Sequence, residues 1–396
     1  MDSLSGPMLS PSVLGAIIPF VISEFLPRPM EPCLPLWTRH KRKRMQQAPM
    51  IIGPDELILI TGANGFIGSR LVVNLLARGF RKIRCLVRRP SQKMALEQLL
   101  GSAHAGIELD IVVGDLLSSQ DCIDAARDAA VVLHLAAGRG EKSFPDAFLN
   151  SVVTTRNLLE ACLIHKCLRR FVNVSSFTVY ANAQKTGSVL DETCPTEPRP
   201  ELRGEAYCYA KVKQDELLLD YQEKFGIPCV IVRPGYVFGP GGSAITGRVG
   251  VDTFGIFLHL GGSNPIPFTY VDNCADAIAL SGLIEGIDGE VFNVVDDDLP
   301  SSRQFLRLYK RNVRKLPSLY LPPAISYGLC YLWERYSDWS AGQLPPVFNR
   351  KRWQSNWLKT RYSNAKLKAR TGWMPKVPMA EGLNRYFEAC RGAHHA

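Results

Sequence analysis

Tyr207 and Lys211 stand four residues apart in the stretch Tyr207-Cys208-Tyr209-Ala210-Lys211-Val212-Lys213. On a helix, positions i and i+4 share a face, so the ammonium lies beside the phenol. A phenol ordinarily titrates near pH 10, and a neighbouring positive charge favours the phenolate. Such a pair can give and take a proton at neutral pH. Ser176 lies 31 positions upstream, just after the apolar run Leu168–Val174, where its hydroxyl can hold a substrate oxygen. The stretch holds a second Tyr-x-x-x-Lys, Tyr209 with Lys213. The first is preferred, because small Ala210 precedes Lys211 and Asp215 follows it at i+4. The second has Val212 and Leu217 in those places.

Elements must bring these side chains together. Leu57-Ile58-Leu59-Ile60 is a short continuous apolar run, as a buried parallel strand requires. Thr61-Gly62-Ala63-Asn64-Gly65-Phe66-Ile67-Gly68 follows, then a helical pattern over Ser69–Arg78. Gly62 permits a tight turn, Gly65 lets backbone amides approach a pyrophosphate, and Gly68 lets the helix pack closely on the strand. Asn64, Phe66 and Ile67 belong to the same cradle. The strand–turn–helix context gives the glycine triplet its force as a dinucleotide signal.

The next strand, Ile83–Val87, ends in Arg88-Arg89. An acid there would take the ribose hydroxyls of NAD, whereas Arg88 suits the 2′-phosphate of NADP. The expected cofactor is therefore NADP or NAD, with NADP favoured. Strand Leu109–Val113 leads into Gly114-Asp115-Leu116, where Asp115 can accept from an adenine amino group. Strand Val131–Leu135 leads into Ala136-Ala137-Gly138, small residues that let backbone lie against the cofactor. The pattern predicts an α/β fold, a doubly wound parallel Rossmann sheet, with a smaller and mostly helical C-terminal substrate lobe. The expected domains are a disordered or misannotated leader at 1–54, a Rossmann domain at 55–240 with the catalytic residues, and a lobe at 241–396. Part of that last stretch returns to the sheet near 268–295.

Together these residues resemble the extended short-chain dehydrogenases/reductases, the NAD-dependent epimerase/dehydratase group. The likeness runs over about residues 55–390. Beyond the motifs above it rests on His134-Leu135-Ala136-Ala137, Asn150 before Asn157-Leu158-Leu159-Glu160-Ala161, and Ser175-Ser176-x-x-Val179-Tyr180. It rests also on Arg233-Pro234-Gly235-x-x-Phe238-Gly239-Pro240, Phe268-Thr269-Tyr270-Val271-Asp272-Asn273 and Gly372-Trp373-x-Pro375. The resemblance implies Tyr207 as acid/base, Lys211 on the nicotinamide ribose and Ser176 on the substrate oxygen. It implies Asn150 as a structural or relay position beneath the site, and Pro234 to Val237 wrapped around the nicotinamide.

Dehydratases of this group usually carry an acidic pair directly after the Ser. Here Phe177-Thr178 stands there, against sugar dehydration and acid-assisted decarboxylation. Nucleotide-sugar members usually place an Arg just before the Tyr-Val-Asp segment. Residues 263–268 hold neither Arg nor Lys, although Arg248 or a C-terminal Arg could substitute. The Phe268–Asn273 segment is similar to that of 3β-hydroxysteroid dehydrogenase-like members, and Arg88 to reductases near dihydroflavonol reductase. The expected activity is hydride transfer on a secondary alcohol or ketone, with a nucleotide-sugar 4-epimerase as the alternative.

Composition limits the partners. The 396 residues carry a net charge of +10, and residues 301–396 alone carry 18 Lys and Arg against 4 Asp and Glu, or +14. Charge gathered at one end, without a nucleic-acid motif, argues against a nucleic-acid binder. Eleven Cys, with no C-x-x-C, read as reduced thiols in the cytoplasm. Residues 12–23 form an apolar run too short to span a bilayer, followed by the basic run 40–44. Leu316–Trp333 has no charged residue but several aromatics, with Arg350, Lys351, Arg352, Lys359 and Arg361 beyond. The aromatics are expected to pack over a small-molecule substrate pocket under a solvated basic rim, and the same composition suits peripheral membrane contact. A homodimer is compatible with all of this.

Overall fold

The computed structural model describes residues 49–100, 108–138, 143–181, 186–242, 245–253, 255–340, 343 and 348–395. The apolar run 12–23, the basic run 40–44 and most of the expected leader lie outside them. Residues 49–52, the end of that stretch, belong to the folded unit. Ile51 N–H donates to Leu283 O at 2.8 Å, Met50 bridges Ile284, and Ile52 is buried.

Seven parallel strands form the central sheet: β1 (Leu57–Thr61), β2 (Lys82–Val87), β3 (Glu108–Val113), β4 (Ala129–His134), β5 (Arg170–Val174), β6 (Cys229–Pro234) and β7 (Val291–Val294). Their spatial order is β3-β2-β1-β4-β5-β6-β7. The chain moves outward from β1 to β3, then crosses back to β4 on the other side of β1. Ligands of doubly wound sheets bind at such a reversal, outside the strand C-termini. The sequence reading began β5 two residues early, because Leu168 is apolar but precedes the first ladder pair, Val131 with Arg170.

Helices cover both faces of the sheet and build the lobe beyond it. They are α1 (Phe66–Ala77), α2 (Pro90–Leu100), α3 (Ser119–Ala126), α4 (Phe144–Phe148), α5 (Thr154–His165), α6 (Ala206–Phe225), α7 (Val271–Leu283), α8 (Ser302–Asn312), α9 (Pro323–Trp339), α10 (Arg350–Trp357), α11 (Ala365–Thr371) and α12 (Met379–His395). Leu71, Val72 and Leu75 of α1 meet Cys274, Ala275 and Ile278 of α7 over one face of the sheet. Leu158, Leu159 and Cys162 of α5, with Leu218 and Tyr221 of α6, close the other. Two buried faces explain why the strands read as unbroken apolar runs.

The lobe holds α8, α9, α10 and α12, and also a three-stranded sheet that the sequence did not announce. Gly250–Thr253 pairs antiparallel with Ile256–His259, which pairs in parallel with Ser318–Tyr320. An aromatic core of Phe238, Phe268, Tyr270, Phe305, Tyr386 and Phe387 joins the lobe to the strand ends.

Candidate active site

The ends of β1, β4, β5 and β6 open into a cavity of about 630 Å³. It is lined by Gly62, Asn64, Gly65, Phe66, Ile67 and Gly68 after β1, by Leu135, Ala136 and Ala137 after β4, and by Val174 to Thr178 after β5. Pro234 to Val237, Tyr207, Lys211, Gly241, Gly242 and Arg248 complete it. Residues scattered over nearly two hundred positions converge because most of them end or follow a parallel strand or lie in the first turns of a helix packed on one.

The glycine turn is built for a close ligand. Gly62 has φ +71°, a left-handed conformation that favours glycine, and a Cβ there would come within 3.0 Å of Ala136 N. A Cβ on Gly68 would collide with Gly62 O and lie 2.8 Å from Ala63 Cα. Helix α1 has no side-chain cap and no acid in its first turn, so the positive end of its dipole is left to an outside anion. A dinucleotide pyrophosphate fits this cradle.

Tyr207 and Lys211, near the start of α6, both line the cavity. Tyr209 instead turns its ring edge onto Phe144 of α4, at 5.1 Å, and Lys213 pairs with Glu216 at 2.8 Å. Of the two overlapping motifs, the first faces the cavity. Ser176 caps a short 3₁₀ turn, its Oγ accepting from Thr178 N–H at 3.3 Å, which leaves its hydroxyl hydrogen to point at a ligand. Thr178 Oγ1, buried at the cavity wall, has no hydrogen-bond partner among the described residues.

A buried polar chain ties Lys211 to the cofactor cradle. Lys211 Nζ donates to Val174 O at 2.7 Å and to Gln214 Oε1 at 2.8 Å. Gln214 Nε2 donates to Thr155 Oγ1 at 2.7 Å, and that hydroxyl donates to Ser151 O at 2.6 Å. Thr155 Oγ1 can therefore only accept from His134 Nε2, at 2.9 Å. His134 is then protonated on Nε2, and its Nδ1 accepts from the Thr61 hydroxyl at 2.8 Å. Thr61 Oγ1 in turn accepts from Ala136 N–H at 3.2 Å. Burial pushes the imidazole pKa down to about 3, so the ring stays neutral and the directions stay fixed.

Below the Ser, Asp215 Oδ2 accepts from Ser175 Oγ at 2.9 Å and pairs with Arg233 at 3.1 Å, while Oδ1 accepts from Asn173 at 3.2 Å. Burial raises the Asp215 carboxyl above its usual value, against the pull of Arg233. Gln214 escaped the sequence reading, and Asp215 was noted there only as the acid four residues after Lys211. Their signal was the stripe 207, 211, 214, 215, one face of a helix continued by polar residues that a core face does not usually carry.

Four predicted residues lie outside the cavity lining. Arg88 is exposed just beyond β2, and its backbone N–H donates to Gln92. Asp115 Oδ1 accepts from Leu117 N–H at 3.0 Å in a local turn, and Leu116 packs against the α3–α5 core. Asn150 lies in a π-helical turn, Leu149–Val153, where its amide donates to Asp146 O at 3.0 Å. The side chains bonded in sequence from Lys211 towards α5 are Gln214 and Thr155. None of the residues 316–339 lines the cavity, so the aromatics do not form its roof. Tyr327 packs on Trp353 at 5.1 Å instead, while Tyr331, Tyr336 and Trp339 are exposed.

Among the described lining residues the charged ones are Lys211 and Arg248, both positive, and no Asp or Glu is present. Arg248 Nη1 donates to Ser355 O at 3.1 Å and to the Tyr362 hydroxyl at 3.3 Å. Phe177, where a dehydratase would carry an acid, is buried and stacks on Tyr362 at 5.6 Å.

The sequence profile of the NAD dependent epimerase/dehydratase family matches residues 58–294. A 3β-hydroxysteroid-dehydrogenase/decarboxylase of Arabidopsis thaliana is 25% identical over 362 residues, covering 84% of this chain and 79% of its own length. A trifunctional UDP-glucose 4,6-dehydratase/epimerase/reductase of the same plant is 27% identical over 60% of this chain, which spans only 36% of that protein. The UDP-glucuronic acid 4-epimerase of Bacillus cereus, solved with NAD, superposes with a TM-score of 0.64 at 22% identity, covering 85% of this chain and 99% of that one.

Proposed function

As this chain belongs to the NAD-dependent epimerase/dehydratase family, an enzyme family of the extended short-chain dehydrogenases/reductases, we propose that it transfers hydride between NADP(H) and a secondary alcohol or ketone. The observation that carries this reading is the convergence of Ser176, Tyr207 and Lys211 on the cavity that the Gly62–Gly68 turn also lines. The nicotinamide, when bound, supplies the hydride acceptor or donor. Gly62, Gly65, Gly68, Ala136 and Ala137 would hold the dinucleotide. Pro234 and Val237 would bound its nicotinamide end. Ser176 would hold the substrate oxygen, Tyr207 would exchange its proton, and Lys211 would keep positive charge beside the phenol. The absence of a carboxylate among the described lining residues supports plain redox chemistry over elimination of water. NADP preference rests on Arg88 and Arg89, exposed beyond β2 where an acid would favour NAD.

A second reading, nucleotide-sugar 4-epimerisation with retained NAD, is favoured by Arg248, a guanidinium in the cavity wall where a substrate diphosphate would need one. The two readings differ in cofactor turnover, since an epimerase leaves free NAD(P)H absorbance unchanged.

Tyr207→Phe should lower turnover by about 10²–10⁴ while cofactor affinity stays nearly the same. Tyr209→Phe should keep most activity. Steady-state rates with cofactor titration by fluorescence separate the two. An inactive Tyr209→Phe beside an active Tyr207→Phe would overturn the assignment.

A further inference from the structure

We propose that the outer face of α9, with the strand before it, is a docking surface for an anionic lipid bilayer. Ile325, Leu329, Leu332, Tyr336 and Trp339 follow one another at intervals of four, three, four and three residues. That spacing places them on a single helical face. All five are exposed, by between 47% and 79%. The opposite face is already used. Ser326, Cys330 and Ser337 are buried, and Cys330 packs with Trp353 and Trp357 of α10. Leu319 and Tyr320, on the strand just before the helix, are exposed as well. A row of large apolar side chains facing water marks an interaction site rather than ordinary surface.

Charge selects the occupant. Arg303 sits over the Tyr320 ring at 5.3 Å, and Lys310 donates to Ser318 Oγ at 2.5 Å. Arg311, Arg314 and Lys315 are exposed in the segment that leads into Leu319. On α9 itself, Glu334 is paired with Arg350, leaving Asp338 as its other acid. Basic residues thus flank the strand that leads into α9, where an anionic headgroup layer would be drawn to them and the same groups of a second copy would be repelled. Tyr320, Tyr336 and Trp339 are the residue types that settle at headgroup level. At 17 residues α9 is about 25 Å long, and no described helix is long and apolar enough to cross a membrane. The helix would lie in the interface with its stripe in the acyl boundary.

The test is co-sedimentation of the full chain with phosphatidylcholine vesicles, with and without phosphatidylserine, at about 0.1 M and about 1 M salt, where the Debye length falls from about 10 Å to about 3 Å. The wild type should bind the anionic vesicles and keep a reduced but measurable share at high salt. Leu329→Glu and Leu332→Glu should each lower the partition roughly tenfold, from lost apolar burial. Both substitutions are at exposed sites, and unchanged NADPH binding confirms that the fold is kept. The proposal is overturned by a wild type that binds neither vesicle. It is equally overturned if binding vanishes at high salt and both Glu variants behave as wild type. A wild-type dimer made monomeric by either substitution would assign the face to a second copy and overturn it as well.

Discussion

Val174 O and Gln214 Oε1 both accept from Lys211, and the second is an acceptor that a substitution can remove. Gln214→Leu should leave the ammonium less firmly aimed and Thr155 Oγ1 without one of its donors. We expect lower turnover with little change in cofactor affinity, a shift in the apparent pKa of the pH–rate profile, and a stability loss of about 1–3 kcal/mol. A variant that loses stability alone, with an unmoved pH profile, would reduce Gln214 to a packing residue. Asp296 offers a separate titration. Burial raises its pKa to about 7, although Tyr270 N–H and Asn273 Nδ2 donate to its Oδ2 at 2.8 and 3.0 Å. In the unfolded chain it should titrate near 3.9. Between about pH 4 and 7 the folded state therefore holds the extra proton, and its contribution to stability falls as pH rises. The slope is at most roughly 1.4 kcal/mol per pH unit. Asp296→Asn, neutral throughout, should flatten that slope. Urea unfolding of both proteins at about pH 5 and about pH 8 measures it, and equal slopes would refute the assignment.

At the scale of elements, α1 and α6 carry the site in different ways. Helix α1 contributes backbone: its first turn and the glycines before it. Gly68→Ala would drive a methyl group into Gly62 O and Ala63 Cα, backbone that cannot swing aside. We expect about 1–3 kcal/mol of destabilisation and loss of dinucleotide binding, read by thermal melting and by fluorescence titration. Full cofactor affinity in that variant would show that the close helix–strand approach is dispensable. Helix α6 contributes side chains along one stripe. Tyr207 and Lys211 face the cavity, while Gln214 and Asp215 anchor the helix to α5, β5 and β6. The glycine-rich turn and the Tyr-x-x-x-Lys pair were legible because each is a local pattern with a fixed local consequence. The three-stranded sheet of the lobe was not, because its strands are three or four residues long and the third, Ser318–Tyr320, lies far from the other two in sequence.

For the whole molecule, cofactor binding is linked to stability. A ligand that binds only the folded chain raises the melting temperature in a concentration-dependent way, by about 2.7 kcal/mol at a hundredfold excess over its Kd. NADPH should raise the melting point more than NADH does at equal concentration, and Arg88→Asp should reverse the order. A wild type stabilised better by NADH would remove Arg88 from the cofactor reading. The charge of the molecule is uneven on the same scale: residues 301–396 carry +14, part of it on the lobe helices and part on α11, where Lys366, Lys368 and Arg370 pair with Glu290 and Asp297.

The sequence by itself determined the parallel sheet and the glycine cradle, and it offered two overlapping Tyr-x-x-x-Lys pairs of which the first was preferred. Apolar runs, glycines at a turn and an i, i+4 spacing constrain the backbone within a few residues of themselves. Only the tertiary structure decided which of the overlapping tyrosines meets the cavity, since Phe144, which takes up Tyr209, lies on a different helix. It likewise brought in Gln214 and Thr155 as the partners that link Lys211 to α5, contacts between separate elements that no local pattern announces. The lobe aromatics turned outward for a similar reason. Trp353 and Trp357 of α10 occupy the inner side of α9, leaving Ile325, Leu329, Leu332, Tyr336 and Trp339 facing solvent. A hydrophobic residue records in sequence that it should be buried, but the partner that buries it is set by the packing of the rest of the chain.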